Sequence, residues 1–146
     1  MINETTVTVV GNLVEDPKQR TTESGIDLAV FRVASTARKF DSQAGRHVDA
    51  TSLFLSVTCW RTLAGNVSAS LRKGDPVVVT GRLFTRSYEK DGQSRSVIEM
   101  EAHAVGPDLA RGTAVFRRTP RGPATEGSPG AAADSADRPE RELAAV

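Results

Sequence analysis

VVVTGRLFTRSY, residues Val77–Tyr88, decides how the rest of the chain is read. In a β-strand successive side chains point to opposite faces. Val77, Val79, Gly81 and Leu83 fall on one face, and Thr80, Arg82, Phe84, Arg86 and Tyr88 on the other. The first face is aliphatic, and the second alternates arginine with aromatic. A face meant only for water has no need of Phe84 and Tyr88, and a core face cannot hold Arg82 and Arg86. Cations alternating with π-surfaces suit a flexible polyanion carrying flat bases, which is single-stranded nucleic acid. The competing reading is an amphipathic strand whose aromatics fill a subunit contact.

A second stretch makes the same choice. In Ser52–Trp60, SLFLSVTCW, the odd positions are Leu53, Leu55, Val57 and Cys59, and the even ones include Phe54 and the sole tryptophan, Trp60. The face that ought to be polar again carries rings, which favours the binding reading. Cys59 lies on the aliphatic side and reads as a buried thiol.

Outward from these two stretches, Thr5–Leu13 alternates valine with threonine as a first strand, bent at Gly11-Asn12 and ended by Asp16-Pro17. Thr21–Gly25 is a polar turn. Ile26–Ser35 is a second strand, apolar on both faces, as when a barrel also meets another subunit. Ala37–Ala50 has no period and reads as a long loop carrying Arg38, Lys39, Phe40 and Arg46. Leu63, Val67 and Leu71 recur every four residues, a short helix with Arg72-Lys73 in its last turn and Gly74 after it. Gly81 marks a sharp bend in the strand that follows. Glu89–Arg95 is a hairpin loop centred on Asp91-Gly92. Ser96–Val105 is the last strand, with Ile98, Met100 and Ala102 inward and Glu99, Glu101 and His103 outward.

Three strands, a helix and two strands predict an all-β chain. The architecture is a five-stranded OB-fold barrel with one short helix between strands 3 and 4. That fold takes oligonucleotides on its middle strands and loops, so the loops Ala37–Ala50 and Glu89–Arg95, with Lys90 and Arg95 on the second, join the candidate site. So do Arg61 after the third strand and Arg72 and Lys73.

The 146 residues fit one domain plus a tail. Net charge is only +1, but Arg32–Arg95 holds 11 Lys/Arg against 5 Asp/Glu, a basic patch that attracts phosphates. No apolar run approaches a membrane span, and MINETTVTVVGN lacks the layout of a secretory signal. A single cysteine excludes an internal disulfide framework, and a reducing cytoplasm is the expected compartment. No spacing of His47, His103 and the carboxylates suits a metal or a catalytic site, so neither enzyme activity nor a cofactor is expected. We expect the barrel domain over 1–109 and an extension over 110–122 with an extra strand at Thr113–Arg117. A disordered tail over 123–146 is rich in Gly, Pro, Ala and Ser.

VVGNLVEDP at Val9–Pro17, LRKGDPVVVTGRL at Leu71–Leu83 and the spacing of Phe40, Phe54, Trp60 and Tyr88 resemble the bacterial single-stranded DNA-binding protein family, over roughly Thr5–Leu109. The resemblance implies a nucleoid-associated homotetramer, a dimer of dimers, that wraps single strands during replication, recombination and repair. Phe40, Phe54, Trp60 and Tyr88 match the family's stacking residues, usually tryptophan at the first, second and fourth of these. Gly106–Arg118 is similar to the strand that clamps subunits in the actinobacterial branch. The family closes on an acidic tip ending in Asp-Ile-Pro-Phe or similar, whereas this chain ends RPERELAAV. Recruitment of replication and repair partners is therefore not expected, and the chain resembles a shortened second copy. In a symmetric oligomer Cys59 is also a candidate for an intersubunit disulfide. The remaining alternatives are an RNA-binding OB module and an oligomeric structural subunit that binds no nucleic acid.

Overall fold

The computed structural model describes residues 2–120. The elements run β1 (Thr5–Leu13), β2 (Lys18–Thr21), β3 (Asp27–Asp41), β4 (Arg46–Trp60), α1 (Thr62–Ser70), β5 (Pro76–Lys90) and β6 (Gln93–Pro107). The ladder order is β1-β5-β6-β4-β3, and β1 also pairs with β3 at Asn12↔Ala34 and Leu13↔Val33, which closes a ring of five strands. All these pairings are antiparallel except β4–β6, which is parallel. The barrel is therefore the expected OB-fold, with its helix after the third strand of the ring.

Side-chain alternation fills its centre. Ala29, Phe31 and Val33 from β3, Leu55, Val57 and Cys59 from β4, and Val77 and Val79 from β5 are all buried, with Met100 and Ala102 from β6. Val9 and Leu13 complete the lining from β1. Ala64 and Val67 of α1, with Leu71 just after it, plug one end. Gly81 is where two backbones touch: a Cβ there would collide with the Glu101 carbonyl oxygen and the Ala102 Cα. The β5–β6 register slips by one residue at the same place, from Thr80↔Ala104 to Gly81↔Ala102, so the expected bend carries a β-bulge.

Several boundaries differ from the sequence reading. Ala37–Ala50 is not a loop. β3 runs on to Asp41, β4 starts at Arg46, and the two strands stay paired out to Asp41↔Arg46, leaving a turn of four residues, 42–45. Likewise Glu89–Arg95 is almost all strand. Only Asp91 and Gly92 leave the ladder, with φ of 53° and 73°, the left-handed pair of a type I′ hairpin turn. These hairpins project past the barrel, so neither face is packed on a core and no apolar period marks them. Ile98, expected inward, lies on this projecting part and is exposed. Lys18–Thr21, partly read as turn, is a short extra strand on the edge of β3. The helix ends at Ser70, so Arg72-Lys73 lie beyond its last turn. There the Arg72 guanidinium donates to the carbonyls of Ser68 and Leu71, both at 2.7 Å, capping the helix from outside.

The first of two compact units runs to Val115. Thr113–Arg117 forms no strand within the single chain, and Val115 and Phe116 are exposed. The expected tail, 123–146, lies outside the described residues.

Candidate nucleic-acid interface

Ladder registers assemble the outer face of the barrel row by row, because paired residues in a sheet share a face. One row reads Arg20 (β2), Leu28 (β3), Trp60 (β4). The next is Lys18, Val30, Thr58, Glu101, Arg82, and the next Arg32, Ser56, Glu99, Phe84. Beyond the parallel pairing, Phe54 lies on β4 beside Ala34 of β3, and Arg86 faces Val97 across β5 and β6. Tyr88 pairs with Arg95 and Lys90 with Gln93 toward the hairpin tip. The two stretches that opened the argument are thus brought onto one continuous surface.

Cations and rings on that surface sit in contact. The Arg82 guanidinium lies 4.5 Å from the centre of the Phe84 ring, Arg86 lies 5.4 Å from Tyr88, and Arg32 lies 5.7 Å from Phe54. Between the Arg32–Phe54 and Arg86–Tyr88 pairs opens a cleft of about 310 Å³, whose lining also includes Ser56 and Glu99. On this surface the exposed rings are Phe40 at 60%, Phe54 at 54%, and Trp60 and Tyr88 each at 37%. Such rings can stack on bases while the arginines meet phosphates.

The β3–β4 arm sorts its own charges. The register slips between Ala37 and Arg38, so Arg38 faces Asp49 and Phe40 faces His47. Arg38 pairs with Asp49 at 3.4 Å, and the His47 ring meets Phe40 edge-on at 5.5 Å. Arg38 and Phe40 therefore stay on the face of Phe54. Lys39 and Arg46, one position off each, take the opposite side of the arm. Arg61 sits at the corner between β4 and α1 with φ of 60°, beside Trp60. Arg72 and Lys73 lie before β5, at the far end of a strand ~50 Å long from Lys90. They therefore lie far from Tyr88 along that strand.

Arg32, Lys18 and Arg20 were not singled out from the sequence. The signal for Arg32 was there: it follows Leu28 and Val30 on a strand face otherwise apolar. Glu99 and Glu101 also have a role that a plain solvated face would not require. Glu99 Oε1 accepts two hydrogen bonds from Arg86, from Nε at 3.0 Å and Nη2 at 2.8 Å. Glu101 accepts one from Arg82 at 3.3 Å. The hydrogen bond and charge of Glu99 push the Arg86 pKa above its ordinary value.

Cys59 points the other way. It is fully buried in the barrel, and loss of hydration pushes its thiol up to about 12. An intersubunit disulfide needs the sulfur at a surface, so the burial of Cys59 removes that expectation. Among the described residues no group of three or more His, Cys, Asp or Glu could hold a metal ion, and no helix is long and apolar enough to cross a membrane.

A closed five-stranded ring with a helix after its third strand, presenting rings and cations on its middle strands, defines an OB-fold protein with an external ligand face. The chain belongs to the single-strand binding protein family, whose model matches residues 4–108. It is 52% identical over 122 residues to a single-stranded DNA-binding protein of Corynebacterium glutamicum, across 83% of this chain and 54% of that one. The chain thus spans about half the length of that relative. With a single-stranded DNA-binding protein of Paenarthrobacter nicotinovorans it shares 46% over 145 residues, 94% of this chain and 85% of the other. The small single-stranded DNA-binding protein of Streptomyces coelicolor has a similar crystal structure, with TM-score 0.68 and 42% identity over 76% of this chain and all of that one. The second such protein of Mycobacterium smegmatis gives TM-score 0.63 and 42% identity, over 79% of this chain and 99% of the other.

Proposed function

We propose that this protein is a non-catalytic binder of single-stranded DNA. It holds unwound strands open and protected during replication, recombination and repair, with little regard to sequence. The observation that carries the reading is the continuous outer face bearing three arginine–ring pairs, two of which, Arg32–Phe54 and Arg86–Tyr88, line one cleft. Phe40, Phe54, Trp60 and Tyr88 stack on bases, each engaged base contributing ~1–3 kcal/mol. Arg32, Arg38, Arg82, Arg86 and Arg95 meet phosphates and make binding salt-sensitive. Exposed Val115 and Phe116 suit a segment that pairs with another subunit, and the working form is a homotetramer in the cytoplasm, associated with the nucleoid. Relatives named for single-stranded DNA binding and a matching family model support the same reading.

Trp60 is the only tryptophan and is partly exposed on the proposed face, so its fluorescence reports one position per subunit. Added oligo-dT quenches it to saturation at a fixed nucleotide-to-subunit ratio, and affinity falls as salt rises. Trp60→Ala loses ~1–3 kcal/mol of binding while the barrel stays folded. Emission indifferent to DNA, with a large loss of melting temperature in the variant, would place Trp60 in a structural contact instead. Competition with a matched ribo-oligomer separates DNA from RNA preference.

A further inference from the structure

Two copies of one three-residue arrangement stand side by side on β5 and β6. In the first, Glu101 holds Arg82, and Arg82 lies over the Phe84 ring. In the second, Glu99 holds Arg86, and Arg86 lies over the Tyr88 ring. Each carboxylate sits where a phosphate would pair with the guanidinium. Each guanidinium covers the ring face on which a base would stack. These cations, rings and acids thus already satisfy one another. We propose that Glu99 and Glu101 are displaceable stand-ins for DNA phosphates: a strand engages this half of the face only by prising Arg86 and Arg82 from them.

The inference rests on the single-strand binding reading. Its physical basis is competition at a fixed donor set. Glu99 occupies the Nε–Nη2 edge of Arg86 and Glu101 one Nη2 bond of Arg82, so a phosphate that takes those same donors must displace the resident acid. The released carboxylate then remains near the incoming phosphates, and the like charges repel. The Glu99 side chain is only 16% exposed, less than the 53% of the arginine it holds, so water does little to screen it once Arg86 has turned away. The two acids therefore lower affinity at every salt concentration. They also reduce the number of phosphates that the face neutralises.

The test is an oligo-dT titration of the full chain at several salt concentrations, comparing wild type with Glu99→Gln, Glu101→Gln and the double variant. Glutamine keeps the size and a hydrogen-bond acceptor but removes the charge. Glu23→Gln, in the turn between β2 and β3, controls for a change of net charge alone. The double variant is expected to bind about five- to tenfold tighter. Its salt slope should steepen by ~0.7 for each phosphate newly engaged. Glu99→Gln should account for more of the gain than Glu101→Gln, since it holds its arginine by two short bonds rather than one long one. Affinity and slope unchanged in the double variant, or matched by Glu23→Gln, would overturn the proposal. Weaker binding would overturn it too, making the carboxylates positioning groups that aim the arginines at DNA. Absence of binding by wild type and variants alike would instead bring down the single-strand binding reading itself.

Discussion

The lower and upper halves of β5 share one hydrogen-bonded partner, β6, along their whole length, yet they live in different surroundings. Val77, Val79 and Gly81 are buried, whereas every residue from Thr85 to Lys90 is exposed. The β3–β4 pair divides the same way, with Phe31 and Leu55 in the core and Phe40 out on the arm. Ladder bonds alone are worth little net stability, because water offers the same bonds to the unfolded chain. Stability is therefore concentrated in the barrel, and the arms are free to carry rings that touch nothing of the core. Binding and folding draw on separable sets of aromatics, and this separation can be attacked directly.

The largest expected effect is in the core. Phe31→Ala should lower unfolding free energy by ~3–5 kcal/mol in a denaturant titration, through lost burial and the cavity left behind. Phe40→Ala should stay within ~0.5 kcal/mol of wild type. Comparable losses at the two positions would erase the distinction between barrel and arm.

A second effect comes from Cys59. Its thiol is raised from an ordinary 9.0 to about 12 by burial, so the folded chain keeps a proton that the unfolded chain releases. The stability this gives is full below pH 9 and is lost as pH rises toward 12. The slope there is up to ~1.4 kcal/mol per pH unit. Cys59→Val should remove that part of the alkaline loss, and native Cys59 should resist thiol reagents that label it readily in denaturant. Rapid labelling of the native protein would mean that the barrel end opens far more easily than its packing implies.

Smallest, and confined to the arms, are the binding losses. Phe40→Ala and Tyr88→Ala should each weaken oligo-dT binding by ~1–3 kcal/mol with little change in melting temperature. Loss of melting temperature in step with affinity would show the arms to be part of the stable unit after all.

The barrel was legible because its strands declare their buried side by alternation: Leu55, Val57 and Cys59, or Val77 and Val79, against polar or aromatic neighbours. The arms were not, since a strand exposed on both faces has no period to read, and Ala37–Ala50 looked like loop for that reason. The outer face was half legible. Arg82, Arg86, Phe54, Trp60, Phe84 and Tyr88 follow from parity, and Arg32 stands out on an otherwise apolar strand face, but its ring partner Phe54 shows only when β3 is laid beside β4. The partnership of Glu99 with Arg86 needs the β5–β6 register, which sets them diagonally across the ladder, Phe84 facing Glu99 and Arg86 facing Val97. Arg46 faces away from Phe54 because one unpaired residue of β4, Ala50, reverses that strand's parity, and Lys39 does so by simple alternation on β3.

Ring closure also sets an order in time. β1 finds its long partner in β5, with pairs such as Thr5↔Leu83 and Asn12↔Pro76, and meets β3 over only two residues. During synthesis the first strand therefore emerges with its valines bare and waits on the order of ten seconds for residues 76–83 to be made. Non-local pairing of this kind is slow to form even in the finished chain. The β3–β4 and β5–β6 hairpins, closed by short turns, can zip first and independently. The amino-terminal strand is then the last stave set into the barrel, and until it is set the nascent chain offers an open β-edge to its neighbours on the polysome.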